Sequence, residues 1–107
     1  MATIQAVIVD PDGTFRTTEI ENELGPYQAV VGGYIEGVVS DVATIYVNEE
    51  GLLMRLPFNP LATLFANDFL GLLGMQLFGT ALILGPPDEG EDTPVRPAVV
   101  EYFTKEN

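Results

Sequence analysis

Apolar and β-branched residues fill Thr3 to Val9, and a second such run covers Thr14 to Ile20, with Asp10-Pro11-Asp12-Gly13 between them. Proline sets φ for the first central position of a turn and glycine accepts positive φ after it, so the two runs predict a β-hairpin. The spacing then changes. Leu24, Tyr27, Gln28 and Val31 recur at intervals of three and four residues, which predicts a short helix with Pro26 in its first turn and Gly32-Gly33 as its stop. Tyr34 to Val39 and Ala43 to Val47 read as two more strands around Ser40-Asp41, and Asn48-Glu49-Glu50-Gly51 turns the chain into a further strand-like run, Leu52 to Leu56. Asn59-Pro60 is an N-cap followed by proline at the first helical position, and Leu61, Leu64 and Phe65 give the helix it opens an apolar side. Phe78 to Leu84 returns as a strand buried on both faces. After Gly85-Pro86-Pro87 comes an acidic loop near 88–93, and Thr93-Pro94 repeats the cap-plus-proline signal. Val95, Val99, Tyr102 and Phe103 then line one side of a last helix near 94–104. Together these elements predict a single α+β domain over 1–107. Its antiparallel sheet has about five strands arranged as a meander, with two or three short helices packed on one side or end.

Charge sharpens this picture. The 19 residues between Asp68 and Asp88 carry none, while the rest of the 107-residue chain holds 16 acids and 4 bases, for a net charge of −12. An apolar centre inside an acidic shell suits a chain long enough to bury roughly two-thirds of its unfolded surface. The uncharged stretch approaches the length of a membrane span, but Gly71, Gly74, Gly79 and Gly85 punctuate it and no basic residue flanks it, so it is expected to be core rather than membrane. The acidic balance argues against direct contact with nucleic acid or anionic lipid, for which only Arg16, Arg55, Arg96 and Lys105 are present. Cysteine and histidine are absent, which removes disulfides, thiolate and imidazole ligands, thiol nucleophiles and the commonest general base. With no basic and apolar leader at the start, a cytoplasmic location is expected.

Four groups of residues carry the candidate chemistry. Val9-Asp10-Pro11-Asp12-Gly13-Thr14 resembles the first motif of haloacid-dehalogenase-type phosphatases, in which the first aspartate is the nucleophile and the second the acid. That chemistry also needs a cation for the developing phosphoryl charge, and the one lysine, Lys105, lies in the terminal segment. The pair is therefore expected to be structural. Asp88, Glu89, Glu91 and Asp92 offer oxygen ligands, but Val99 stands where an EF-hand loop would place its closing glutamate, so a solvated loop is favoured over weak calcium binding. Gly32 and Gly33 have the flexibility of a backbone nest for a small anion, although a helix C-cap accounts for them more simply. Arg55, placed on a strand just before the helix opened by Asn59, would with that helix start be the best cradle for a phosphate. These four residues, Arg55, Asn59, Gly32 and Gly33, form the candidate ligand site. No catalytic residue, metal ligand or cofactor is expected.

Several segments taken together resemble one small family. They are the strand and turn from Val9 to Thr14, the run Gln28-Ala29-Val30-Val31-Gly32-Gly33-Tyr34-Ile35-Glu36, Tyr46 to Gly51, Pro57 to Thr63, and Leu84-Gly85-Pro86-Pro87. The family is domain-of-unknown-function family 3846, of bacteriophages, mobile elements and their bacterial hosts, especially actinobacteria. The resemblance implies a phage-encoded origin and carries over no active site. A non-enzymatic protein is expected, binding a host protein through an apolar patch with an acidic rim, or associating with itself to cover strand edges. Two alternatives stand beside it: an oligomeric protein that sequesters a small anionic, nucleotide-derived signal, and an acidic mimic of nucleic acid.

Overall fold

In the computed structural model, which describes residues 2–106, β1 (Thr3–Val9) and β2 (Phe15–Glu21) pair antiparallel over their full lengths. Their turn is closed by Gly13, at φ 91°, whose amide donates to the Asp10 carbonyl. Helix α1 (Leu24–Val31) ends on Gly32, at φ 81°, as the two glycines predict. A second hairpin follows, β3 (Ile35–Val39) with β4 (Thr44–Asn48). Helix α2 (Pro60–Leu64) runs on into a single π-helical turn, Phe65–Phe69, before β5 (Ala81–Leu84) and α3 (Pro97–Glu106).

The sheet has five antiparallel strands in the order β2-β1-β5-β4-β3, so the fold is α+β, with β5 inserted between the two hairpins rather than continuing a meander. Burial explains the insertion. All four residues of β5 are fully buried, and a strand with no polar side chain is best hidden in the middle of a sheet covered on both faces. The helices divide between those faces. Val7, Val9, Ile45, Ala81 and Ile83 point toward α2, the π turn and α3, where Phe65 and Phe103 fill the core with ring centroids 4.9 Å apart. Ala6, Ile8, Leu82 and Leu84 point the other way, onto Tyr27 and Val31 of α1.

Three boundaries differ from the sequence reading. Leu52 to Leu56 is not a strand: its amides wind back, Met54 onto Glu50 and Leu56 onto Gly51, and Arg55 takes a left-handed φ of 58°. With β3 on one side of β4 and β5 on the other, the sheet leaves this run no edge of β4 to join. The strand expected over Phe78 to Leu84 is shortened to Ala81–Leu84 by Gly79, at φ 81°, leaving Phe78 in an isolated bridge to Phe58. The last helix starts at Pro97 instead of near Pro94, because residues 93–95 are used otherwise. The Val95 amide donates to the Gln5 carbonyl, the Thr93 hydroxyl to the Pro86 carbonyl, and the Pro94 carbonyl lies where a Cβ on Gly85 would stand. Among the described residues no helix is long and apolar enough to cross a membrane.

Candidate functional site

Asn59, at the head of α2, is fully buried and fully used. Its side-chain oxygen accepts from the Ala62 amide at 3.0 Å, and its side-chain nitrogen donates to the carbonyls of Val9 at 3.0 Å and Gly79 at 2.9 Å. It pins the helix start to the end of β1, and both of its side-chain N–H donors are spent inside the protein. Gly32 and Gly33 are engaged in the same sense, since both amides donate to the Gln28 carbonyl, at 2.8 and 3.1 Å, to close α1. Gly33 is also where the Asn48 side chain crosses: a Cβ there would stand 2.8 Å from the Asn48 amide nitrogen, which donates to the Val31 carbonyl. The absence of a side chain at Gly33 therefore serves packing.

Arg55 is exposed in the turn after β4 and shares an open cavity of about 630 Å³ with Glu49, Glu50, Leu52 and Leu53. Gly32 and Gly33 line a neighbouring cavity of about 460 Å³ together with Tyr34, Glu50 and Met54. The structure thus brings Gly32, Gly33 and the loop bearing Arg55 to one region, and places Asn59 with Val9 and Gly79 instead. Two carboxylates share the Arg55 cavity, an unfavourable setting for a phosphate.

At the first hairpin, both aspartates of the phosphatase-like motif are held. Asp12 accepts from the Thr14 hydroxyl at 2.7 Å and the Thr14 amide at 3.0 Å, and these bonds lower its carboxyl pKa below the ordinary value. Asp10 accepts from the Thr80 hydroxyl at 2.8 Å and from Arg16 at 3.3 Å. The cation beside Asp10 is therefore Arg16, placed there by strand pairing, a link that lies in register rather than in motif spacing. None of the cavities above includes either aspartate. Among the described residues no three acidic side chains converge as metal ligands would. The acidic loop is a tight turn: Glu89 and Gly90 both have positive φ, 51° and 82°, and Asp88 and Glu91 exchange backbone bonds across it.

One polar cluster had no signal in the sequence. The Tyr46 hydroxyl donates to the Asp92 carboxylate at 3.0 Å, the Tyr27 hydroxyl donates to Asn22 Oδ1 at 2.6 Å, and Asn22 Nδ2 donates to the Asp92 carbonyl at 3.2 Å. The two rings stack at 5.4 Å. Burial, reinforced by the Asp92 charge, pushes the Tyr46 phenol up to about 12 and raises that of Tyr27 further. The cluster joins β4, α1 and the acidic turn. Its hydroxyls bond to side chains of the protein itself, the arrangement of an anchor.

Among the exposed apolar side chains, those of the loop after β4 are consecutive. Leu52, Leu53 and Met54 are 73%, 78% and 51% exposed, and Tyr34 beside them is 67% exposed. Hydrogen bonds from the Met54, Arg55 and Leu56 amides fix this loop, and Gly51 is buried at its base, where a Cβ would approach two carbonyls at 3.3 Å. Three successive large apolar side chains are thus held outward by an ordered backbone with Glu49 and Glu50 at their foot. Such a surface can bury area against another apolar surface, and its charge selects a basic rim on the other side.

Residues 4–107 match a domain of unknown function, DUF3846. The chain belongs to this family. No curated protein and no solved structure matches it.

Proposed function

We propose that this DUF3846 protein is a non-catalytic binding protein whose loop Leu52-Leu53-Met54 docks on a protein surface combining apolar side chains with lysine or arginine. The observation that carries this reading is the loop itself. Exposed apolar side chains scattered singly are ordinary, but three in succession, held by a left-handed residue at Arg55 and by three backbone hydrogen bonds, oppose solvation without contributing to the core. The net charge of −12 and the carboxylates of Glu49 and Glu50 favour a basic partner and speed its approach. The occurrence in phages and mobile elements that the family resemblance implies makes a protein of the bacterial host the natural partner. The internal engagement of the Gly32 and Gly33 amides and of the Asn59 side chain supports this reading over the anion-sequestering alternative.

Affinity capture from host lysate, run in parallel with wild type and Leu53→Asp, tests the proposal. A protein recovered by wild type, weakened by raised salt and lost with a Leu53→Asp variant of unchanged melting temperature, is the expected result. Equal recovery by both forms, or none by wild type, refutes it.

A further inference from the structure

The sheet has two edges, and they differ. Hydrogen bonds just beyond each strand fix which backbone groups face outward. In the second hairpin the Tyr34 carbonyl accepts from the Glu49 amide at 2.8 Å and the Ser40 amide donates to the Ala43 carbonyl at 3.0 Å. Antiparallel ladders alternate, so Tyr34, Glu36, Val38 and Ser40 turn their backbone groups toward β4, while Ile35, Gly37 and Val39 turn theirs away from the sheet. None of the turn, loop or side-chain hydrogen bonds among the described residues uses those outward groups. On the opposite edge the Asn22 and Asp10 amides donate to Ala2 and Thr14, so Phe15, Thr17, Glu19 and Glu21 of β2 face outward. That edge carries Arg16, Glu19 and Glu21, the charges by which an edge strand resists further pairing. β3 carries only Glu36.

We propose that β3 pairs antiparallel with β3 of a second copy of this chain, about a two-fold axis at Gly37, joining two five-stranded sheets into one of ten. The outward groups are self-complementary: with Gly37 on the axis, Ile35 of each copy exchanges both backbone bonds with Val39 of the other. Glu36 then stands opposite Val38 of the other copy, so the one charge on the strand never faces its own equivalent. Gly37 has no side chain to project, and on its covered face the Tyr46 ring already occupies the place of a Cβ, at 2.9 Å. Val39, 57% exposed, gains a cross-strand neighbour in Ile35. A foreign strand rich in lysine would find a single carboxylate on β3 to pair with, whereas a second copy satisfies every outward group and offsets the charge. The net charge of −12 on each chain opposes pairing at long range, so screening by salt tightens it.

Sedimentation equilibrium on wild type, Val39→Pro and Thr17→Pro tests this. Proline at position 39 removes an amide that points away from β4, and at position 17 one that points away from β1, so neither substitution takes a bond from the sheet. Wild type and Thr17→Pro are expected at twice the 11.6 kDa monomer mass, with tighter association at higher salt. Val39→Pro, which loses two intermolecular bonds per pair, is expected to associate roughly tenfold or more weakly. Hydrogen exchange on wild type reads the same interface without a mutation: the Gly37 and Val39 amides are protected when concentrated and lose protection on dilution. A wild type that stays monomeric, including one whose β3 amides are protected only by an added extended peptide, overturns the proposal. So does a folded Val39→Pro that pairs as tightly as wild type.

Discussion

The hairpins β1–β2 and β3–β4 flank the same central strand, yet they are built for different ends. The first pairs over seven residues a strand, turns on Asp10-Pro11-Asp12-Gly13, and shows solvent an edge of threonine, glutamate and arginine. The second pairs over five, carries one charge on its edge strand, and leads into a loop that holds Leu52, Leu53 and Met54 outward. Ile20 of β2 is buried against α1, so the first hairpin spends its apolar side chains on the core. The second keeps several for the surface. Because one core supports both, the contrast is not between a stable half and an unstable one; it separates a half that closes the fold from a half that presents it.

The strongest way to break the comparison is to remove what the two hairpins share. Ile83 lies fully buried in β5, paired to Val7 on one side and Ile45 on the other. Ile83→Asp would bury an unpaired carboxylate between them, a cost above about 4 kcal/mol. Loss of the cooperative thermal transition and of native circular dichroism is the expected outcome, with both hairpins lost together.

A pair of asparagines sharpens it. Asn59 bonds to Val9 at the end of the first hairpin, and Asn48 bonds to Val31 and Glu50 beside the second. Both are buried, but Asn59 satisfies two buried carbonyls and a buried helix amide, whereas one partner of Asn48 is an amide of an exposed residue. Asn59→Ala is expected to cost about 2–4 kcal/mol and Asn48→Ala about 1–2 kcal/mol in chemical denaturation, since each buried group left without a partner costs about 1–3 kcal/mol. Equal losses would mean that Asn59 is not the pin that joins α2 to β1.

What the sequence made legible follows the range of the interaction. The bounds of β1 and α1 rest on signals within a few residues, the turn prolines and glycines, and stand as read. The place of β5 depends on pairing with strands about 40 and 75 residues away in the chain, and an apolar run says that it is buried without saying between which neighbours. Leu52 to Leu56 has a strand's apolar character but no β-branched or aromatic residue, and with β3 and β5 on the two sides of β4 it finds no edge there. The same holds at the site residues. Asn59 announces an N-cap, which it is, but its bonds to Val9 and Gly79 are tertiary, and they spend both of its side-chain N–H donors inside the protein. Tyr46 and Asp92 meet across the fold, and nothing local to either indicates the other.

The smallest expected effect separates the hairpins by pH. Asp12, in the first, has its carboxyl lowered by its bonds to Thr14, so its contribution is present above the unfolded value of 3.8 and is lost as pH falls through the folded one. Tyr46, in the second, has its phenol raised from 10.0 to about 12, chiefly by burial and then by Asp92. Between those values the unfolded chain gives up a proton that the folded chain keeps, so stability is intact below about pH 10 and declines as pH rises toward 12. Tyr27, raised in the same direction by burial and by Asp92, adds to the decline. Denaturation midpoints measured from pH 2 to 12 should therefore lose part of their acid slope in Asp12→Ala, with the alkaline slope kept. Tyr46→Phe should do the reverse, leaving a residual alkaline slope from Tyr27. An alkaline slope unchanged by Tyr46→Phe would mean that the phenol ionises in the folded protein as readily as in the unfolded chain, and that the bond to Asp92 does not hold the acidic turn against the second hairpin.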